Sequence, residues 1–360
     1  MYKYLTILVA LVLVVISLAE GAETQASTQQ GAATKATPTA TTASGGAYTM
    51  TDIGTLGFDT YGLAINVTGQ ITGYSYTTAE VQYPCPKSPD YPTPKKCFEN
   101  PNHAFLWSNG TMTDLGTLGG NFSQGTAINR SGEVTGTADT SSGPADAFLW
   151  NGGKSLIDIG AWTPAGINDS GQLAGECYNA SGVCLYSNGK LTQLPNPTSF
   201  PSSGCNGGLI NNNSQVLGSC SDTSGNTHVV VWQNGTATDL GTIGAGPPYE
   251  GNSVSAINNL GHVVGYQQIS TGAVDGFLLS NGKITDLGAN FLPKAINDND
   301  VVVGGPFIWS GGTLQNLNDL IPPGSGFTLA DANGINNNGQ IVVTGYNAQG
   351  YYHTFLLTPR

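Results

Sequence analysis

Four carboxylates in long, irregular stretches, Glu80, Asp139, Asp222 and Glu250, are the side chains whose type suits acid–base work. Two such groups facing each other across a cleft, about 5 to 10 Å apart, can cleave a glycosidic bond by protonating the leaving oxygen and supplying or activating the nucleophile. The run Asn297, Asp298, Asn299 and Asp300 carries the oxygen ligands that Ca²⁺ takes, though its place between two apolar stretches reads more simply as a turn. Ca²⁺ is therefore the one cofactor the residues allow, and no cofactor is the preferred expectation. Three aromatic residues, Tyr83, Tyr91 and Phe98, share a segment with five prolines and the cysteines Cys85 and Cys97. Proline and a disulfide would hold exposed rings in place before a ligand arrives, lowering the entropy cost of binding. They are the binding-face candidates. The other expected outcome is that the three rings merely cover the outside of the structure beneath them.

The elements that must position these residues follow from a repeat. Ile-Asn occurs at Ile65-Asn66, Ile128-Asn129, Ile167-Asn168, Ile210-Asn211, Ile257-Asn258, Ile296-Asn297 and Ile335-Asn336. Five of the seven asparagines have glycine three residues on, all have an aliphatic residue five on, and six have glycine seven on. Self-similarity at a period of roughly 40 to 50 residues marks a propeller or a solenoid. Each unit parses into four short strands, A to D; in the second they fall near residues 125–129, 133–138, 146–150 and 154–160. Asn-x-x-Gly closes the A–B turn, and Asn-Gly or Gly-Gly closes the C–D turn, as at Asn109-Gly110 and Gly311-Gly312. Strand C ends in Trp107, Trp150, Tyr186, Trp232, Leu279 or Trp309, a repetition that suits packing between blades. A repeated aspartate in strand D, at Asp52, Asp114, Asp158, Asp239 and Asp286, reads as a local acceptor for backbone N–H groups.

The two ends of the array decide between propeller and solenoid. Residues 48–54 form a D strand with no A, B or C before it, and the last unit has A, B and C but no D. An all-β, seven-bladed β-propeller, closed by the N-terminal strand completing the final blade, accounts for both and leaves no open sheet edge. In such a ring the A–B and C–D turns lie on one face and are short. The B–C and D–A connections lie on the other and vary in length, which makes that long-loop face the expected recognition surface.

The segment His103-Ala104-Phe105-Leu106-Trp107-Ser108-Asn109-Gly110, followed by Asp114-Leu115-Gly116-Thr117-Leu118-Gly119-Gly120 and Ala127-Ile128-Asn129, resembles the extracellular HAF-repeat family. Weaker copies run over residues 48–357; the histidine position holds Asp146, Asp275 or Pro306 elsewhere, and His353 keeps it. The resemblance implies an exported repeat protein and carries no activity with it.

Residues 1–19 read as a signal peptide: Lys3, an apolar run too short for the roughly 20 residues of a bilayer span, and small residues at its end. Residues 20–46 are a Thr/Ala/Ser-rich stretch with the composition of a disordered linker, and 47–360 form the propeller. The expected location is secreted, periplasmic or cell-surface, with no transmembrane span in the mature chain. Six cysteines in three near pairs, Cys85/Cys97, Cys177/Cys184 and Cys205/Cys220, suit disulfides in that compartment. A net charge of −12 with only two arginines, Arg130 and Arg360, argues against nucleic acid. It also cannot supply the arginine cluster of sialidase-like propellers. No Gly-x-Ser-x-Gly, His-Glu-x-x-His, phosphate-binding glycine loop or Cys-x-x-Cys is present. The preferred expectation is a non-enzymatic binding or adhesion module for a glycan, peptide or surface protein, and the alternative is a carbohydrate-active hydrolase or lyase with acids near the channel mouth.

Overall fold

The computed structural model describes residues 40–41, 46–84, 96–178, 182–199, 204–242, 253–268 and 274–360. All belong to the unit Ala36–Arg360. The segments expected to be a signal peptide and most of the linker lie outside the described residues.

Seven antiparallel sheets form the seven blades of a β-propeller. Their A strands are Gly57–Ile65, Gly119–Ile128, Trp162–Ile167, Cys205–Ile210, Ser253–Ile257, Ala295–Ile296 and Phe327–Ile335, so every one ends on the isoleucine of the repeat. Each A strand touches the A strand of the next blade, and the seventh touches the first. The ring is closed.

Blade seven is completed from the far end of the chain. Tyr48–Asp52 pairs antiparallel with Tyr352–Pro359, from Tyr48 opposite Pro359 to Asp52 opposite Phe355. A two-residue strand, Ala40–Thr41, adds to its outer edge opposite Met50 and Thr51. Two residues of the expected linker are thus in a sheet, because the edge strand offers unpaired backbone groups that any nearby segment can use.

Glycine seven residues after the asparagine has a steric cause. Strand A bulges near its end, with register shifts between Gly62 and Ala64 in blade one and between Gly125 and Ala127 in blade two. The bulge presses a strand A carbonyl onto strand B: a Cβ on Gly73 would lie 1.9 Å from Tyr61 O, and one on Gly136 would lie 1.9 Å from Gln124 O. Blade seven carries Val343 there, and its A strand shifts register at Leu329/Asp331 and at Ala332/Gly334.

The core is divided among the seams between blades. Ile71, Phe105 and Trp107 of blade one pack with Val342 and Leu356 of blade seven and Ile53 beside the closing strand. Ala174 and Val183 of blade three pack with Val216, Val230 and Trp232 of blade four. Seven such clusters occupy the seven seams among the described residues. The aromatic end of strand C is therefore packing material: Trp107, Trp232 and Trp309 are buried in these clusters, and each such side chain stabilises the ring by roughly 1.5 to 3 kcal/mol. The seam that closes the ring has a core of the same kind as the others.

Two disulfides join neighbouring strands. Cys205 and Cys220 face each other across strands A and B of blade four, as the register of the turn between them predicts, with Cα atoms 4.1 Å apart. Cys177 and Cys184 link strands B and C of blade three. Cys85 lies outside the described residues, as does the side chain of Cys97, so the third expected pair is outside them too.

Candidate functional site

The asparagines of the repeat do more than start turns. Each is buried, and its side chain caps its own A–B turn while reaching to the next blade. Asn66 Oδ1 accepts from the backbone N–H of Thr68 and Gln70, and the other six repeat the arrangement. The Nδ2 of Asn66 donates to the backbone oxygen of Asn129 at 2.9 Å, and the relay continues through Asn168, Asn211, Asn258, Asn297 and Asn336. Asn336 returns the donation to Asn66 at 2.9 Å. Seven side chains form one closed cycle of hydrogen bonds around the channel.

In five of the seven blades the backbone N–H of the next residue adds to a second, outer chain of bonds. Backbone N–H groups of Arg130, Asp169, Asn212, Asn259 and Asp298 donate to the side-chain oxygens of Asp169, Asn212, Asn259, Asp298 and Asn337, at 2.8 to 2.9 Å. Six of the seven asparagines, the residues that follow them and the seven isoleucines line a cup of about 400 Å³ at the channel mouth, on the short-turn face. A second cavity of about 480 Å³ adjoins it between blades seven, one and two, and Arg130 lines both.

On the long-loop side, tyrosines gather at the seam between blades seven and one. Tyr61 and Tyr74 face each other across strands A and B of blade one and stack at 4.9 Å between ring centres. Tyr61 also stacks on Tyr352 at 5.5 Å, Tyr76 meets Tyr74 edge-on, and Tyr346 leans on Tyr352. Asp59 accepts the Tyr352 backbone N–H at 3.0 Å, and burial raises its carboxyl above the usual range. Burial, then Asp59, raises Tyr61; burial, then Tyr76, pushes Tyr74 up to about 12. At neutral pH these phenols keep their protons and remain hydrogen-bond donors. The surface joins aromatic faces, hydroxyl donors and one acceptor. Tyr346 and Tyr351 are exposed, while Tyr61, Tyr74, Tyr76 and Tyr352 are half-buried.

The candidates read from sequence fall as follows. Tyr83 and Phe98 lie on the two strands of a hairpin, Val81–Pro84 paired with Lys96–Glu99; their side chains and all of Tyr91 lie outside what is described. Glu99 on that hairpin is close enough to raise Tyr76, after burial, so the expected loop and the tyrosine cluster adjoin. Glu80 is exposed in blade one, Asp139 sits in strand B of blade two and is raised by burial, and Glu250 is outside the described residues. Asp222 closes the B–C turn of blade four by accepting from Asn226 and Ser224, and the Asn226 side chain holds it down at about 2. The structure brings none of these three into hydrogen-bonding contact with another. In the Asn297–Asp300 run, Asp298 accepts from Asn259 and Asn337, and Asp300 accepts from Asn258 and His262. Those oxygens tie blades together. No group of three or more His, Cys, Asp or Glu suited to a metal ion occurs among the described residues.

The repeated strand D aspartates are local acceptors, as Gly116 N–H to Asp114 at 2.8 Å shows. Where strand C carries histidine they gain a partner: His103 with Asp114 and His228 with Asp239, each at 2.9 Å. Sequence reasoning missed the cup and the tyrosine cluster. The first was signalled by the residue after each asparagine, which is Asp or Asn in five blades of seven.

Comparison with protein families and with curated proteins finds no match. Among solved structures the chain is similar to TolB from Acinetobacter baumannii at TM-score 0.42 and 9% identity, over 71% of this chain and 60% of that one. The chain thus spans less than two thirds of TolB. It is similar to Aleuria aurantia lectin bound to Fucalpha1-6GlcNAc at TM-score 0.36 and 8% identity, over 82% and 95%. A Dyadobacter fermentans protein of unknown function gives 0.38 and 11%, over 84% and 95%. At these scores the likenesses say nothing about a site.

Proposed function

We propose that this protein is an exported, non-enzymatic binding module that holds a saccharide on its long-loop face, at the seam between blades seven and one. The observation that carries this reading is the unbroken run of ring contacts from Tyr76 through Tyr74, Tyr61 and Tyr352 to Tyr346, with Asp59 beside it. Aromatic faces pack against the C–H faces of a sugar while phenols and a carboxylate meet its hydroxyls, the mix of apolar surface and a few polar groups that small-ligand sites use. The adjoining hairpin, Val81–Pro84 with Lys96–Glu99, would extend the surface, and Tyr83, Tyr91 and Phe98 are the candidates from that segment. The two disulfides support an oxidising compartment, and no helix among the described residues is long and apolar enough to cross a membrane. The resemblance to exported HAF-repeat proteins points the same way.

A glycan array probed with the full-length protein tests the reading, followed by titration of any hit against Tyr346→Ala/Tyr352→Ala and against the Tyr83/Tyr91/Phe98 alanine triple. The tyrosine double variant should bind at least tenfold more weakly while melting as a folded ring. Undiminished affinity in both variants, or no hit, would refute the site. Release of reducing ends from a bound glycan would instead favour the hydrolase reading.

A further inference from the structure

The outer cycle around the channel is open at one place. In five blades the backbone N–H of the residue after the asparagine donates to a side-chain oxygen of the next blade. Two consecutive steps break the pattern. Asn337 would need an acceptor from residue 67, which is Val67, and Val67 would need one from residue 130, which is Arg130. Neither side chain has an acceptor oxygen. Both N–H groups are without a protein partner among the described residues.

Three further features meet at this gap. Arg130, exposed and the only arginine within the blades, takes part in none of the ion pairs among the described residues and lines both cavities of this face. The second cavity is walled by Thr68, Gln70, Ser108, Asn109 and Gln340, all hydroxyl or amide side chains. Trp107 also lines it; the residue is only 6% exposed and its indole N–H is buried without a partner. The guanidinium, the indole N–H and the two backbone N–H groups thus bring donors together beside side chains that can both donate and accept.

We propose that this notch between Val67, Arg130 and Asn337 binds the carboxylate of an acidic saccharide, a uronate. The ligand's carboxylate oxygen takes the role that Asp or Asn side-chain oxygens play in the other blades, accepting from the Val67 N–H, and the guanidinium of Arg130 supplies the countercharge. The sugar hydroxyls lie along the amide and hydroxyl side chains of the second cavity. Asp169, which accepts the Arg130 backbone N–H at 2.8 Å, is the neighbouring carboxylate that opposes an anion. The chain's net charge of −12 also opposes one at long range, so selectivity comes from these short-range donors. This site is on the opposite face from the tyrosine cluster and does not depend on it.

The test is calorimetric titration of the full-length protein with trigalacturonate and with its methyl ester. Wild type should bind the acid at least tenfold tighter than the ester. Arg130→Asn should bring the acid down to the ester's affinity while melting at the same temperature or higher, since asparagine there restores an acceptor for the Val67 N–H. Tyr346→Ala/Tyr352→Ala should bind the acid as wild type does. Equal affinity for acid and ester, no binding of either, wild-type binding by Arg130→Asn, or loss in the tyrosine variant would each overturn the assignment.

Discussion

Nδ1 of His353 lies 2.8 Å from Oδ2 of Asp52, a residue 301 positions earlier in the chain. The same pair occurs inside blade one as His103 with Asp114 and inside blade four as His228 with Asp239. Blade seven therefore recovers, from the other end of the chain, a contact that those blades make within themselves. Asp52 also accepts the Gly54 N–H, so one carboxylate shapes the closing strand and fastens it.

That pair makes closure sensitive to pH. The hydrogen bond to Asp52 raises His353 above its ordinary value, against the opposing effect of burial. A histidine raised on folding lends stability that is fully present below its unfolded value, about 6.5, and is lost as pH climbs through the higher folded value. Melting temperatures at pH 5.5 and 8.5 should therefore fall further for wild type than for His353→Gln. An equal fall in both would show that the pair adds nothing.

Deleting residues 47–57 should strongly destabilise the ring, because it removes the ladder with Tyr352–Pro359 and the buried Met50 and Ile53. Deleting residues 1–39 should leave the melt unchanged. The second truncation stops at 39 because Ala40–Thr41 pairs with the closing strand. Thermal melts of the two proteins decide it.

Asn168 is 1% exposed and takes part in three kinds of bond: two backbone N–H groups into its oxygen, one donation to Gln172, and one to Asn211. Asn168→Ala should cost about 2 to 4 kcal/mol in urea unfolding, since each buried group left without a partner costs roughly 1 to 3 kcal/mol. Asn168→Asp keeps the acceptors and loses the donor. It should be unstable at pH 7 and partly recover at pH 4, where a protonated carboxyl can donate.

Gly136→Ala places a methyl 1.9 Å from the Gln124 carbonyl, with backbone on the other side and no flexible side chain to give way. Forced overpacking of this kind costs about 1 to 3 kcal/mol or more. Gly110→Ala meets nothing within 4 Å and should cost less, through its positive φ of 82° alone. Denaturant midpoints of the two variants give the comparison.

Fold and closure were legible because both rest on periodic, local signals. Ile-Asn fixes where each A strand ends, and the orphan strand Tyr48–Asp52 needs a partner that only the last blade lacks. The Cys205–Cys220 pairing was legible for the same reason, since register counts outward from one turn. The asparagine cycle was only half legible. An Asx turn can be read within five residues, but the donation from Asn66 to Asn129 spans 63, and nothing local announces it. The tyrosines escaped notice because Tyr61, Tyr74 and Tyr352 come from three strands and share no motif. Val67 and Arg130 look unremarkable singly; only alignment of the repeats shows that they interrupt a pattern.

The closing strand also sets an order of events. Tyr48–Asp52 is made first and its partner Tyr352–Pro359 last. At roughly 5 to 20 residues per second, the 301 residues between Asp52 and His353 delay their meeting by roughly 15 to 60 s. Through that interval the early strand has no ladder to join, and both sides of the growing array carry open edges that can pair with other chains. A chain cut short anywhere before its final strand cannot seal itself. The clasp thus makes closure conditional on Tyr352–Pro359: without that strand, Tyr48–Asp52 has no ladder and the edges of the array stay unpaired.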